Sequence, residues 1–146
     1  MNLHSFSHGQ ITAKLWLCQH LEPLLPEPAD VVILGSWHNV LGFIMLCRRP
    51  GAYLSITGID VDANVKRMAD AIMDAWCYDP NNHIVTNKTA NANSLQFTDS
   101  NAVYINTSAE HFESTDWFDL IPQGALVVVQ STDITDSNDP WLVAQP

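Results

Sequence analysis

Residues 29–39, ADVVILGSWHN, decide the fold. Ala29–Gly35 is an almost continuous apolar run rich in β-branched residues, which fits a strand buried on both faces in a parallel sheet covered by helices. Gly35 breaks the run. Asn39–Arg48, NVLGFIMLCR, then reads as a buried helix with basic residues at its C-terminal end, where the dipole favours them, and Pro50-Gly51 stops it.

The alternation continues on both sides. Upstream, residues 10–25 place Ile11, Leu15, Leu17, Cys18 and Leu21 at helical spacing, and Pro23, Pro26 and Pro28 end that helix. Downstream, Tyr53–Val61 is a second strand finishing among the acids Asp60 and Asp62. Ala63–Trp76 is an amphipathic helix, with Val65, Met68, Ala69, Ile72 and Met73 on one face and Lys66, Arg67, Asp70 and Asp74 on the other. Asp79–Asn82 is a turn, His83–Lys88 a weaker strand and Thr89–Ser100 a polar loop. Ala102–Asn106 is a strand, Glu113–Leu120 a short helix, Pro122-Gln123-Gly124 a turn and Ala125–Gln130 a last central strand. The expected architecture is α/β: a three-layer, doubly wound Rossmann-like fold with a mostly parallel sheet of about five strands. All 146 residues form one domain: 1–28 a leading helix and possible lid, 29–133 the core, and 134–146 an acidic tail with one apolar patch, Trp141-Leu142-Val143.

Composition bounds the function. A hydrophobic share of 47% argues against disorder, and no apolar run reaches the roughly 18 residues of a membrane span. The N-terminal residues lack the pattern of a signal peptide, so a cytoplasmic protein is expected. Six Lys and Arg against sixteen Asp and Glu give a net charge of -10, which argues against nucleic acid, a local basic spot at Arg48-Arg49 aside, and for a small molecule or another protein as partner. Cys18, Cys47 and Cys77 are odd in number and widely spaced, and read as core thiols in a reducing compartment; no metal-ligand cluster is apparent.

In such sheets ligands bind at the carboxyl ends of the strands, near the point where strand order reverses. Gly35-Ser36-Trp37-His38-Asn39 follows the first strand and leads into a helix N-terminus; this is either an ordinary βα turn or a ligand loop. It lacks the G-x-G-x-x-G of dinucleotide sites, and bulky Trp37 and His38 disfavour NAD and FAD. Asp60, twenty-five positions beyond Gly35, either caps the next helix, as Asp62 can, or accepts hydrogen bonds from a ribose cis-diol. A ribose acceptor without a pyrophosphate cradle suits an adenosine without phosphates, of which S-adenosylmethionine is the commonest. After strand four, Asn106-Thr107-Ser108-Ala109-Glu110-His111 is a dense polar group. Asn106 and Thr107 suit an amino-acid moiety, and Glu110 and His111 suit a base and its orienter, with a simple helix cap the alternative at Thr107 and Ser108. The Gln130 amide is expected in the cleft, and His8-Gly9-Gln10 with Lys14 over it. Trp16, Trp76, Trp117 and Trp141 read as core or covering residues, while the Trp37 ring is placed to meet an adenine.

Gly35-Ser36-Trp37, Gly58-Ile59-Asp60-Val61-Asp62, Ile105–His111, Trp117-Phe118 with Ile121–Gly124, and Val129-Gln130-Ser131 together resemble a small group of class I S-adenosylmethionine-dependent methyltransferase-like proteins, as does the opening Ser7–Gln10 through Lys14–Leu17. Those proteins read G-G-W after strand one, D-x-D after strand two and I-N-T-S-C-E-H after strand four. The resemblance implies that Gly35, Ser36 and Trp37 border the cofactor, that Asp60, with Val61 beside it, holds the ribose, and that Asn106, Thr107 and the residues to His111 face the donor methyl and a small-molecule acceptor. The implied catalytic pair is His111 as base with Glu110 as its orienter, and no metal is required. Three departures stand out: Asn39 replaces a small residue, Ala109 replaces the Cys, and the acid expected after strand three is absent, leaving Asn87, Asn91 and Asn93 to meet the adenine amino group. The family's C-terminal β-hairpin is missing or shortened, which would leave strand five an open edge and implies a homodimer that covers it. A catalytically degenerate partner subunit, or transfer of the aminocarboxypropyl arm or cleavage in place of methyl transfer, fits the same residues.

Overall fold

A computed structural model of the chain describes residues 4–76 and 84–131. The elements are α1 (His8–Leu21), β1 (Ala29–Leu34), α2 (Val40–Arg48), β2 (Tyr53–Asp60), α3 (Ala63–Trp76), β3 (Val85–Thr89), β4 (Val103–Asn106), α4 (Asp116–Asp119) and β5 (Leu126–Val129). All four strand pairings are parallel, and the spatial order is β3-β2-β1-β4-β5. The chain builds outward from β1 to β3, then returns to the other side of β1. Strand order therefore reverses between β1 and β4, whose last residues, Leu34 and Asn106, lie in register.

Alternation along β1 splits the core in two. Val31 and Ile33 face α1 and α2, joining Leu17, Cys18, Leu41, Ile44 and Met45 in the larger cluster. Val32 and Leu34 face the other side, which is covered more thinly. There Ala92, Leu95, Phe97, Trp117 and Ile121 come from the loop after β3 and from the single-turn α4. Each fully buried large aliphatic side chain contributes about 1.5–3 kcal/mol through its removal from water.

Local chemistry explains where elements start and stop. α1 begins at His8 because Ser7 Oγ accepts the Gln10 amide hydrogen (3.4 Å). The expected helix over Glu113–Leu120 shrinks to Asp116–Asp119: Ser114 Oγ accepts the Asp116 amide hydrogen, and Pro122 disfavours helical backbone at Ile121. Of the tryptophans expected as core or covering residues, Trp117 is buried, whereas Trp16 and Trp76 are not core. Trp16 (55% exposed) lies against His20 on α1, and Trp76 (43% exposed) meets Phe43 edge to face. Cys47 is exposed at the end of α2, whereas Cys18 is buried and its thiol is pushed up to about 11 by that burial. The turn at Asp79–Asn82, His83, Cys77, Asp133 and Trp141–Val143 lie outside the described residues.

The departure at Asn39 is built into the core. Asn39 adopts left-handed backbone (φ 51°) and is 1% exposed. Its Oδ1 accepts the Gly42 amide hydrogen (3.2 Å), capping α2, and its Nδ2 donates to Asn87 Oδ1 (2.8 Å) on β3. Asn87 Nδ2 donates in turn to Asp70 (2.9 Å) on α3, which pairs with Lys66. Gly42 and Gly58 leave the space for this side chain: a Cβ on Gly58 would stand 2.6 Å from Asn39 Nδ2 and 2.9 Å from Asn87 Oδ1. Gly58→Ala should therefore cost about 1–3 kcal/mol, read as a lower urea midpoint at unchanged slope. An unaltered midpoint would show that the chain of amides does not need this space.

Candidate functional site

The carboxyl ends of β1, β2, β4 and β5 meet around the reversal point. Ser36 and Asn39 form a tight turn there (Asn39 N–H to Ser36 O, 2.8 Å), and the Ser36 amide is bonded to Ile59 O of β2. Trp37, at the turn's crest, has φ 50°, a strained value for a bulky residue. What holds it is Asp60: Oδ2 accepts the Trp37 amide hydrogen (2.9 Å), while Oδ1 accepts that of Asp62 (3.1 Å). Asp62, not Asp60, caps the start of α3, through the Asn64 amide (2.8 Å). Asp60 therefore faces the β1 turn, half-buried, with lone pairs to spare beyond the two it uses.

The other sequence-predicted residues divide. Asn106, at the end of β4, is fully buried; its Oδ1 accepts the Ser108 amide hydrogen and its Nδ2 has no partner among the described residues. Thr107 is half-buried beside it, and Val61 is 69% exposed. Ala90 N–H donates to Asp60 O, which brings the exit of β3 toward Asp60. There Asn91 is exposed, and its Oδ1 is spent on the Asn93 amide, as Asn93 Oδ1 is on that of Trp117. Asn87 is committed to the core. The Trp37 ring stacks on His38 (5.4 Å between centroids).

Gly35 has a packing reason as well as a positive φ. A Cβ there would lie 2.9 Å from the Phe112 ring and 3.0 Å from Ser108 Cβ, and Ser108 Oγ donates to Gly35 O (3.1 Å). The β4 loop is thus seated directly on the β1 turn. Within that loop the exposures of the expected catalytic pair are unequal: the Glu110 side chain is 9% exposed and His111 40%, with Glu110 Oε1 3.8 Å from His111 Nε2. Glu110 Oε2 is buried with no hydrogen-bond partner among the described residues.

The N-terminal segment touches the same region at two points that sequence reasoning missed. Ser5 Oγ and His38 Nδ1 are 2.6 Å apart, both groups buried, and Gln130 Nε2 donates to Ala13 O (3.3 Å). Lys14 is 9% exposed with Gln10 Oε1 as its hydrogen-bond partner (2.6 Å), and burial lowers its pKa. His8, Gly9 and Gln10, the residues expected over the cleft, are exposed on α1. Nothing in the sequence marks a serine thirty-three positions away as the partner of His38. At the opposite end of the sheet, a hollow of about 430 Å³ is lined by Glu22, Pro23, Leu25, Glu27 and Arg49. Its charges are already matched, Arg48 to Glu22 and Arg49 to Glu27. Among the described residues no cluster of His, Cys, Asp or Glu could hold a metal ion, and no helix is long and apolar enough to cross a membrane.

An all-parallel sheet with this order and a polar rim at the reversal point defines a Rossmann-like protein. More narrowly, the chain has the fold of the class I S-adenosylmethionine-dependent methyltransferases. Similar solved structures include YcgJ from Bacillus subtilis (13% identity, TM-score 0.65, covering 82% of this chain and 50% of that one). Geranyl diphosphate C-methyltransferase from Streptomyces coelicolor A3(2), in complex with Mg2+, geranyl diphosphate and S-adenosyl-L-homocysteine, is another (15%, 0.65, 84% and 44%). Coclaurine N-methyltransferase bound to N-methylheliamine and S-adenosylhomocysteine is a third (14%, 0.62, 81% and 35%). The chain spans half or less of the length of these three structures. No family model matches the chain, and no curated protein matches its sequence.

His38 supplies a pH test of this geometry. Burial lowers its pKa below the ordinary 6.5, only partly opposed by Asp60 and Asp62, so folding favours the neutral ring. The unfolded chain then binds the proton more readily, and this share of stability is complete above pH 6.5 and lost as pH falls through the lowered folded value. The wild-type urea midpoint should fall more steeply than that of His38→Asn between neutrality and about pH 5. Parallel pH dependences would assign the effect to other groups.

Proposed function

We propose that the chain binds S-adenosylmethionine across the carboxyl ends of β1 and β2 and directs methyl transfer to a small-molecule acceptor. The observation that carries this is Asp60, a carboxylate turned toward the β1 turn by the Trp37 amide with acceptor capacity left over. Two free lone-pair directions match the paired hydroxyls of a ribose. The buried Asn106 Nδ2, a donor without a partner, fits the ligand's amino-acid end, with Thr107 next to it. Gly35, Ser36 and Trp37 would border the nucleoside, Val61 would lie along its ribose, and the exposed Asn91 would stand nearest the adenine.

The bound sulfonium supplies an already activated methyl group, so the protein's task is chiefly positioning. Glu110 and His111, on the loop seated against Gly35, are placed to orient the acceptor and take its proton. A catalytically degenerate relative is the second reading. It draws on the Phe112 ring and Ser108 filling the space over Gly35, and on Asn87 being spent on Asn39. We further propose that the β5 edge, where Leu126 is 39% and Val129 52% exposed, pairs with a second copy of the chain; a monomer by light scattering at micromolar concentration would refute that.

Titration calorimetry with S-adenosylmethionine and S-adenosylhomocysteine tests the main reading. Both should bind, and Asp60→Ala should weaken each by roughly tenfold to a hundredfold, the value of hydrogen bonds to a charged acceptor. Asp60→Asn, which keeps the shape and one acceptor oxygen, should fall between. Binding of neither ligand by the wild type would refute the cofactor assignment, and binding without turnover of any acceptor would favour the degenerate reading.

A further inference from the structure

We infer that Glu110, not His111, is the group that meets the acceptor, and that the acceptor presents a basic nitrogen. The inference rests on the cofactor reading above and deepens it. A carboxylate whose side chain is nine-tenths buried is costly unless hydrogen-bonded, yet Glu110 Oε2 has no partner among the described residues, while Oε1 lies 3.8 Å from His111 Nε2. The unfilled oxygen needs a donor that the protein does not supply. Its position is fixed, because Ser108 and Phe112 on either side of Glu110 are both packed on Gly35. The loop that carries Glu110 is thereby seated at the reversal point, where the transferable methyl would lie, and the acceptor brought there would supply the missing donor.

Charge narrows the class of donor. Asp60 holds the β1 turn through the Trp37 amide, with Asp62 bonded to it, and Glu113, Asp116 and Asp119 follow the β4 loop in the chain. The cations lie elsewhere: Arg48 and Arg49 are paired with glutamates at the far end of the sheet, Lys66 with Asp70, Lys14 with Gln10 and Arg67 with Asn64, and Lys88 is exposed on the edge strand β3, beyond β2 and β1 from the β4 loop. A carboxylate or phosphate acceptor would be repelled by this rim, whereas an amine is attracted to it and offers N–H donors to Oε2. The step balances without a further reactant. The amine nitrogen gives its N–H proton to Glu110, its lone pair forms the bond to the methyl carbon, and the carbon–sulfur pair stays on sulfur as the neutral thioether. His111, 40% exposed, then carries the proton from Glu110 to water.

Sinefungin provides the test, because it carries an ammonium group where S-adenosylmethionine carries its methylsulfonium, and so presents a cationic nitrogen at the reacting position. By calorimetry, wild-type protein should bind sinefungin roughly tenfold or more tighter than S-adenosylhomocysteine. Glu110→Gln should erase that preference while leaving S-adenosylhomocysteine affinity unchanged, which also certifies that the variant is folded. Glu110→Asp should keep part of it. Equal affinity of the two ligands for the wild type, or a preference that survives Glu110→Gln, overturns the inference. If neither ligand binds, the cofactor reading fails and this inference falls with it.

Discussion

The turn after β1 must hold two non-glycine residues, Trp37 and Asn39, in left-handed backbone, and everything at the reversal point follows from how that is done. Such a conformation costs on the order of 1–3 kcal/mol at a residue like tryptophan and survives only when its surroundings over-determine it. Here they do so from two directions. From below, the Asn39 side chain is locked among Gly42, Gly58 and Asn87. From the side, the Asp60 carboxylate takes the Trp37 amide. The same carboxylate fixes the turn and keeps acceptor capacity, so in the proposed complex occupancy of the site and rigidity of the turn would be coupled through one group.

This coupling explains why a glycine-rich loop is dispensable here. Glycines serve such turns by tolerating positive φ and by letting backbone approach a ligand. Asn39 meets the first need with its own amide, since asparagine tolerates left-handed backbone by bonding locally. The second need is met only in part, because the room above Gly35 goes to Ser108 and Phe112. The β4 loop is consequently carried by the β1 turn, and a ligand would meet the two as one surface.

The layout of the sheet was legible in the sequence because β1, β4 and β5 are short apolar runs bounded by turn chemistry, with β3, VTNKT, a weaker signal, and Ala63–Trp76 coincides with α3 because its amphipathic period is uninterrupted. Failures occurred where a residue's fate depended on distant partners. Trp16 and Trp76 look like core by type, but helix orientation turned them outward. Asp60 and Asp62 are both helix-cap candidates by position; only the three-dimensional placement of the Trp37 amide separates their roles. The exposures of Glu110 and His111 were equally out of reach of the sequence. Histidine suggests itself as a base by its type, but burial of its neighbour is a property of how the loop lands on Gly35.

The N-terminal segment is where chain order and spatial order diverge most, and it bears on how a ligand would enter. Ser5 reaches the β1 turn at His38, and Ala13 reaches the end of β5 at Gln130, so the start of the chain runs from one flank of the reversal point to the other. Both contacts are single hydrogen bonds, worth about 1 kcal/mol each, whereas Leu17, Cys18 and Leu21 anchor the later part of α1 in the larger core cluster. By contrast, the turn beneath is held by a carboxylate, a chain of amides and two packed glycines. A ligand approaching Asp60 would therefore meet the residues ahead of α1, joined to His38 by one hydrogen bond, as the less firmly held side of the site. Burial favours the uncharged His38 ring, so its contact with Ser5 is a hydrogen bond between neutral groups and not an ion pair.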